Sequence, residues 1–149
     1  MSNMETLRTG LWTALFVTLL AATPSRAQNS KDTYKVRLAP VAIDVAMREN
    51  IAGVGMVTAT LSGSTLTLNG TFEGLKSNAT MAHIHQGSAA GVRGPKILDL
   101  TISKATSGDL SGSFDLTPVQ LEAFKKGKWY VQIHSEKAPE GNLWGWLVK

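Results

Sequence analysis

The sequence predicts an all-β fold, an antiparallel β-sandwich or Greek-key-like barrel of about eight strands with one short helix. Three observations predict it. Short runs alternate apolar and polar residues, the period-two signature of strands with one buried face. Glycine, serine, proline and asparagine punctuate those runs where tight turns need them. A single stretch, residues 117–126, carries the start and stop signals of a helix.

Residues 1–27 read as a cleaved export signal lying outside that fold. A polar start containing Arg8 precedes an apolar run from Leu11 to Ala22, and the small residues Ser25 and Ala27 mark the expected cleavage point. A membrane anchor is the competing reading, but the run has 12 residues, against the roughly 20 that a bilayer demands. Residues 28–33 are polar and read as a flexible leader, so the domain is expected over residues 34–149. Its first strand is 34–38, where apolar and basic residues alternate before Pro40. The stretch 41–49 is ambiguous: Val41, Ile43, Val45 and Met47 have period two, yet its alanines tolerate helix. Residues 56–61 and 65–72 form a hairpin around Ser62-Gly63-Ser64. The strand 79–85 leads into a glycine-rich loop, 86–95, and strands 97–102 and 110–116 follow. Thr117 is a suitable helix N-cap, Pro118 suits the first helical position, Gln120 completes a capping box, and Gly127 stops the helix. Strands 129–135 and 143–148 then flank a Pro-Glu-Gly-Asn turn.

Composition excludes several functions. The chain of 149 residues has no cysteine, which removes disulfides, thiolate metal sites and blue copper. Without residues 1–27 it carries 13 basic and 10 acidic residues, a net charge of +3. Those charges are scattered apart from Lys125, Lys126 and Lys128, and they form no basic stripe of the kind nucleic acid requires. The loop Gly87 to Gly94 lacks the Gly-Lys-Ser/Thr ending of a phosphate loop, and no Gly-x-Ser-x-Gly elbow marks a hydrolase. Asn69 and Asn78 head glycosylation sequons, which matter only in a eukaryotic host.

The chain has three histidines, and they fall in two strand-like segments. In His83-Ile84-His85 both imidazoles share one strand face, with Met81 beside them. In residues 129–134, Val131 and Ile133 make one face apolar, which leaves Tyr130, Gln132 and His134 on the other. With Ile84, Val131 and Ile133 turned inward, all three histidines lie on the outward face. If the two strands are neighbours, their side chains stand about 5 Å apart, close enough to share one metal ion. Imidazole suits copper and zinc, and the thioether of Met81 would add affinity for cuprous ion. Three unrelated surface histidines are the plainer alternative. Glu136 and Glu140 follow His134 in a turn, where solvated carboxylates are the commoner case. Trp144 and Trp146 share a face of the last strand, where core packing is favoured over an exposed binding surface.

The segments Ala82-His83-Ile84-His85-Gln86-Gly87, Gly91-Val92-Arg93-Gly94-Pro95 and Gly127-Lys128-Trp129-Tyr130-Val131-Gln132-Ile133-His134-Ser135 resemble the two halves of a CHRD (chordin) domain. The closing run from Pro139 to Leu147 is similar to the family's last strand, although Asn142 and Trp144 stand where Glu and Arg are common. The resemblance spans about Tyr34 to Lys149 and is closest to the bacterial single-domain members. It implies a secreted β-sandwich, periplasmic or extracellular, and carries no defined activity. In site geometry alone the His-x-His pair is also similar to the copper half of Cu/Zn superoxide dismutase. Three histidines are too few for a bridged pair of metals, which excludes that two-metal enzyme.

The first functional expectation is therefore an exported protein binding one copper ion, with zinc as the alternative. His83, His85 and His134 are its ligands, Met81 the candidate fourth, and its role is copper handling without turnover. A metal-free extracellular interaction module, using the glycine-rich loop and the aromatic last strand, is the second. A mononuclear copper redox enzyme is the third.

Overall fold

Period-two alternation becomes a closed surface in the computed structural model, which describes residues 31–41 and 45–149. The expected export signal and the first part of the leader lie outside the described residues. In chain order the elements are β1 (Lys31–Pro40), β2 (Val54–Ser62), β3 (Thr65–Glu73), β4 (Ala79–Gln86), β5 (Lys96–Ile102), β6 (Gly108–Asp115), α1 (Pro118–Lys125), β7 (Trp129–Ser135) and β8 (Ala138–Trp146). The strands close in the order β1-β2-β3-β6-β5-β4-β7-β8, each antiparallel to its neighbours, and β8 returns to β1. That order is a Greek key. After β3 the chain crosses to β4 and winds back through β5 to β6, and it then crosses again, through α1, to lay β7 beside β4. The expected sandwich or barrel is thus a barrel, and closure leaves no long unpaired edge.

Alternate residues of every strand fill the interior. Val36 and Leu38 of β1, Val57 and Ala59 of β2, Leu66 and Leu68 of β3, Ile84 of β4 and Val131 and Ile133 of β7 are all buried in one core. Phe124 of α1 packs edge-on against Tyr34 and Trp129, with ring centroids 4.8 and 5.7 Å away. The helix therefore covers apolar rings that the strands alone would leave exposed.

The helix is defined by the signals in its sequence. The Thr117 side chain accepts from the Gln120 amide at 3.3 Å, and the Gln120 side chain accepts from the Thr117 amide at 2.9 Å. Replacing Thr117 with alanine removes one half of that box and is expected to cost about 1 kcal/mol, read as a lower urea midpoint at unchanged slope.

Two boundaries differ from the sequence reading by three residues or more. The strand β1 starts at Lys31, three residues before the expected strand, because Lys31 to Thr33 pair with Ser62 to Thr60 of β2. The last strand starts at Ala138, and the turn is Glu136-Lys137, since Ser135 pairs with Ala138. Pro139 sits inside the strand at a stretch that β1 does not reach, where a missing amide N–H breaks no ladder bond to that side. The ambiguous stretch forms a turn at residues 45–50, and residues 42–44 lie outside the described residues. Its flanks are tied to β8, with the Val41 amide donating to the Asn142 carbonyl at 2.9 Å and the Ala52 amide to Asn142 Oδ1 at 3.3 Å.

Candidate metal centre

The two histidine-bearing strands are neighbours. β4 pairs with β7 so that His83 faces Gln132, His85 faces Tyr130 and Met81 faces His134. Ile84, Val131 and Ile133 point into the barrel, and the three histidines therefore stand on its outer side. That outer side is not open surface, which corrects one element of the expectation. His83 and His134 are 9 % and 8 % exposed, and beside them lie the buried Tyr130 and Gln132. A second small apolar cluster of Val41, Ile51 and Ala138, with Met47 and Trp144 packed on it, lies apart from the barrel core.

The three histidines offer ligand atoms that all lie within 4.8 Å of one another. His83 Nδ1 and His134 Nε2 are 3.2 Å apart, close to the ~3.3 Å that two nitrogens keep on a tetrahedral ion with metal–nitrogen bonds of about 2.0 Å.

The remaining ring nitrogens are held by acceptors. His134 Nδ1 lies 2.8 Å from the Pro139 carbonyl and His85 Nδ1 lies 3.0 Å from the Gly94 carbonyl. A carbonyl only accepts, so each Nδ1 carries the proton and each Nε2 is left with its lone pair when the ring is neutral. His85 Nε2 is buried and has no hydrogen-bond partner among the described residues. His83 has one proton for two contacts. Its Nε2 stands 3.3 Å from Asp99 Oδ1, and its Nδ1 faces the lone pair of His134 Nε2. A neutral ring satisfies one of these contacts and leaves the other repulsive. An added cation satisfies both, whether it is a second proton or a metal ion.

The second proton is disfavoured. Burial holds the His83 pKa below its ordinary value, and the neighbouring His134 and Lys96 lower it further, against the opposing pull of Asp99. His85 is lowered too, chiefly by burial, although its bond to Gly94 acts the other way. Neutral imidazoles with converging lone pairs are the form that binds metal.

Local sequence explains how the clamp on each ring arises. The loop after β4 folds back so that the Gly94 carbonyl reaches His85, with the Gln86 amide donating to the Pro95 carbonyl at 3.0 Å. A Cβ on Gly94 would lie 1.8 Å from the Gln86 carbonyl oxygen, so that close approach requires glycine. The Tyr130 hydroxyl donates to the same Gly94 carbonyl at 3.2 Å, and its ring stacks on His85 with centroids 5.0 Å apart. On the other side, an irregularity between Ile133 and Ser135 in the β7–β8 pairing accompanies the placement of the Pro139 carbonyl on His134.

Met81 lies on the histidine side of β4 and is 48 % exposed. It lines a surface depression with His83, Asp99, Lys96 and Lys104. Glu136 and Glu140 have exposed side chains, and Glu140 serves the site through its carbonyl, which accepts from Gln132 Nε2 at 2.7 Å. Trp144 and Trp146 are half-buried on the outer side and pack around Tyr130, rather than in the barrel core. Sequence reasoning missed Asp99, Gly94, Pro139 and Tyr130 as partners of the histidines.

Asp99 gives a direct check on this arrangement. Asp99→Asn removes the charge facing His83 Nε2 and is expected to weaken metal binding at the three histidines about tenfold, measured by competition with a chelator. Its side chain is 71 % exposed, so the fold should be unaffected.

Fold and site together define a small Greek-key β-barrel domain with a candidate mononuclear site on a covered outer face. The chain belongs to the CHRD domain family, whose profile matches residues 38–147 and so includes all three histidines, Asp99 and both clamping carbonyls. No curated protein and no solved structure matches the chain.

Proposed function

We propose that this is an exported protein that binds one copper ion through His83, His85 and His134, with Met81 as the candidate fourth ligand, and that it serves in copper handling without turnover. Zinc is the alternative metal. The observation that carries the reading is the proton count: His83 Nδ1 and His134 Nε2 stand 3.2 Å apart and His85 Nε2 is buried without a hydrogen-bond partner among the described residues, while the opposite nitrogens face Asp99, Gly94 and Pro139. Partners of that kind fix ring orientation in metal sites. Export rests on the pattern of residues 1–27. Among the described residues no helix is long and apolar enough to cross a membrane.

A metal-free extracellular interaction module is the second reading, favoured by the half-exposed Trp144 and Trp146 with Arg93 lying 5.0 Å over the Trp144 ring. Titration of the purified protein with copper and with zinc separates the two. The metal reading expects saturation at one ion per chain, and equal binding by a variant without the three histidines overturns it.

A further inference from the structure

We infer that the site selects cuprous ion over cupric and zinc ions, and that the cationic side chains around it set this selectivity. The inference rests on the metal-binding reading above and adds the oxidation state.

The donor group consists of histidines alone, with no carboxylate. Neutral donors leave the full charge of the ion in place, one unit for cuprous ion and two for its competitors. Repulsion by neighbouring cations grows in proportion to that charge. Such cations surround the site. Lys96 lies opposite His85 in the β4–β5 pairing, and its Nζ is 2.8 Å from the Asp99 oxygen that faces His83. Lys104, which donates to the Thr80 carbonyl, lines the same depression as Met81 and His83. Arg93 precedes Gly94, whose carbonyl holds His85, and its guanidinium lies 5.0 Å over the Trp144 ring. Within the depression, Asp99 is the carboxylate set against Lys96 and Lys104.

Ligand softness points the same way. A thioether suits cuprous ion, and the thioether available is Met81, half exposed on the histidine side and facing His134 in register. Three imidazoles also suit zinc and cupric ion, so the thioether and the neighbouring cations carry the preference.

The test uses the purified protein and two variants, Lys104→Glu and Lys96→Glu. Lys104→Glu leaves the Lys96–Asp99–His83 contacts in place. Affinities for cuprous ion are measured anaerobically against a chromogenic chelator, those for cupric and zinc ions by chelator competition, and the reduction potential of the copper-loaded protein by spectroelectrochemistry. Near-ultraviolet circular dichroism checks that each variant is folded. The expected result is cuprous binding at least about tenfold tighter than cupric or zinc binding. Each variant should narrow the copper ratio by about tenfold, which lowers a one-electron potential by about 59 mV. One copper bound per chain with no cuprous preference, or with a potential that neither variant moves, overturns the selectivity and leaves the metal site standing. Binding of none of the three ions overturns both.

Discussion

The His83→Ala, His85→Ala, His134→Ala variant is expected to lose two properties together, the copper binding proposed above and the fall in stability that mild acid imposes on the metal-free wild type. The copper loss should exceed about a hundredfold, since even partners one layer further out cost 10- to 100-fold. The acid effect follows from linkage. His83 and His85 have pKa values held below the ordinary 6.5 in the folded protein, so the unfolded chain binds protons more readily. Their contribution is fully present above pH 6.5 and is lost as the pH falls through the folded values. Asp99 and Glu122 also have lowered values, but from ordinary values of 3.8 and 4.5, so their contributions are lost at lower pH. Urea unfolding of metal-free protein from pH 8 down to pH 5 isolates the histidine window. Wild type should weaken across it, and the variant should stay nearly flat. Saturating copper should delay the loss in wild type alone, because the ion competes with the protons. A variant that keeps the wild-type slope would show that the acid response arises elsewhere.

The fold was legible wherever one strand carried its own pattern. Tyr34, Val36 and Leu38 alternate with charged residues, and the structure buries all three. Thr117, Pro118 and Gln120 specify the start of α1 through contacts spanning three residues, so local sequence suffices. The 138–142 stretch misled because Pro139 and Gly141 read as turn residues. Pairing of Ala138 and of residues 143–146 with β7 carries the strand across them, so both residues lie inside β8 at the irregularity in its register with β7. For the site, alternation placed His83, His85 and His134 on one side correctly. The burial of His83 and His134 was hidden, because it depends on how neighbouring strands pack against β4 and β7 and not on alternation along one strand. Asp99 was invisible for a related reason: its place opposite His83 depends on the β4–β5 register. Gly94 and Pro139 act through backbone carbonyls, and a carbonyl carries no signature in residue type.

Gly141→Ala is expected to damage both the fold and the site, and so to show that they share one piece of backbone. Gly141 has φ +130°, a conformation that costs an L-residue about 1–3 kcal/mol. A Cβ there would lie 2.0 Å from Gln132 Nε2. Gln132 is 3 % exposed and donates to the Glu140 carbonyl at 2.7 Å, so pushing it aside leaves a buried amide unpaired at a cost of about 1–3 kcal/mol. The two costs overlap, and a total of about 2–4 kcal/mol is expected in urea unfolding. The same displacement moves the adjoining Pro139–Glu140 backbone, and with it the carbonyl 2.8 Å from His134 Nδ1. Copper affinity should therefore fall by about tenfold or more. Gly91→Ala is the control. Its φ is +83°, with no atom within 4 Å of the added Cβ, and it lies in the exposed loop. That variant should show conformational strain alone and retain wild-type copper affinity. If both variants cost the same stability and neither changes copper binding, the Pro139 carbonyl does not orient His134, and the clamp on that ring must be discarded.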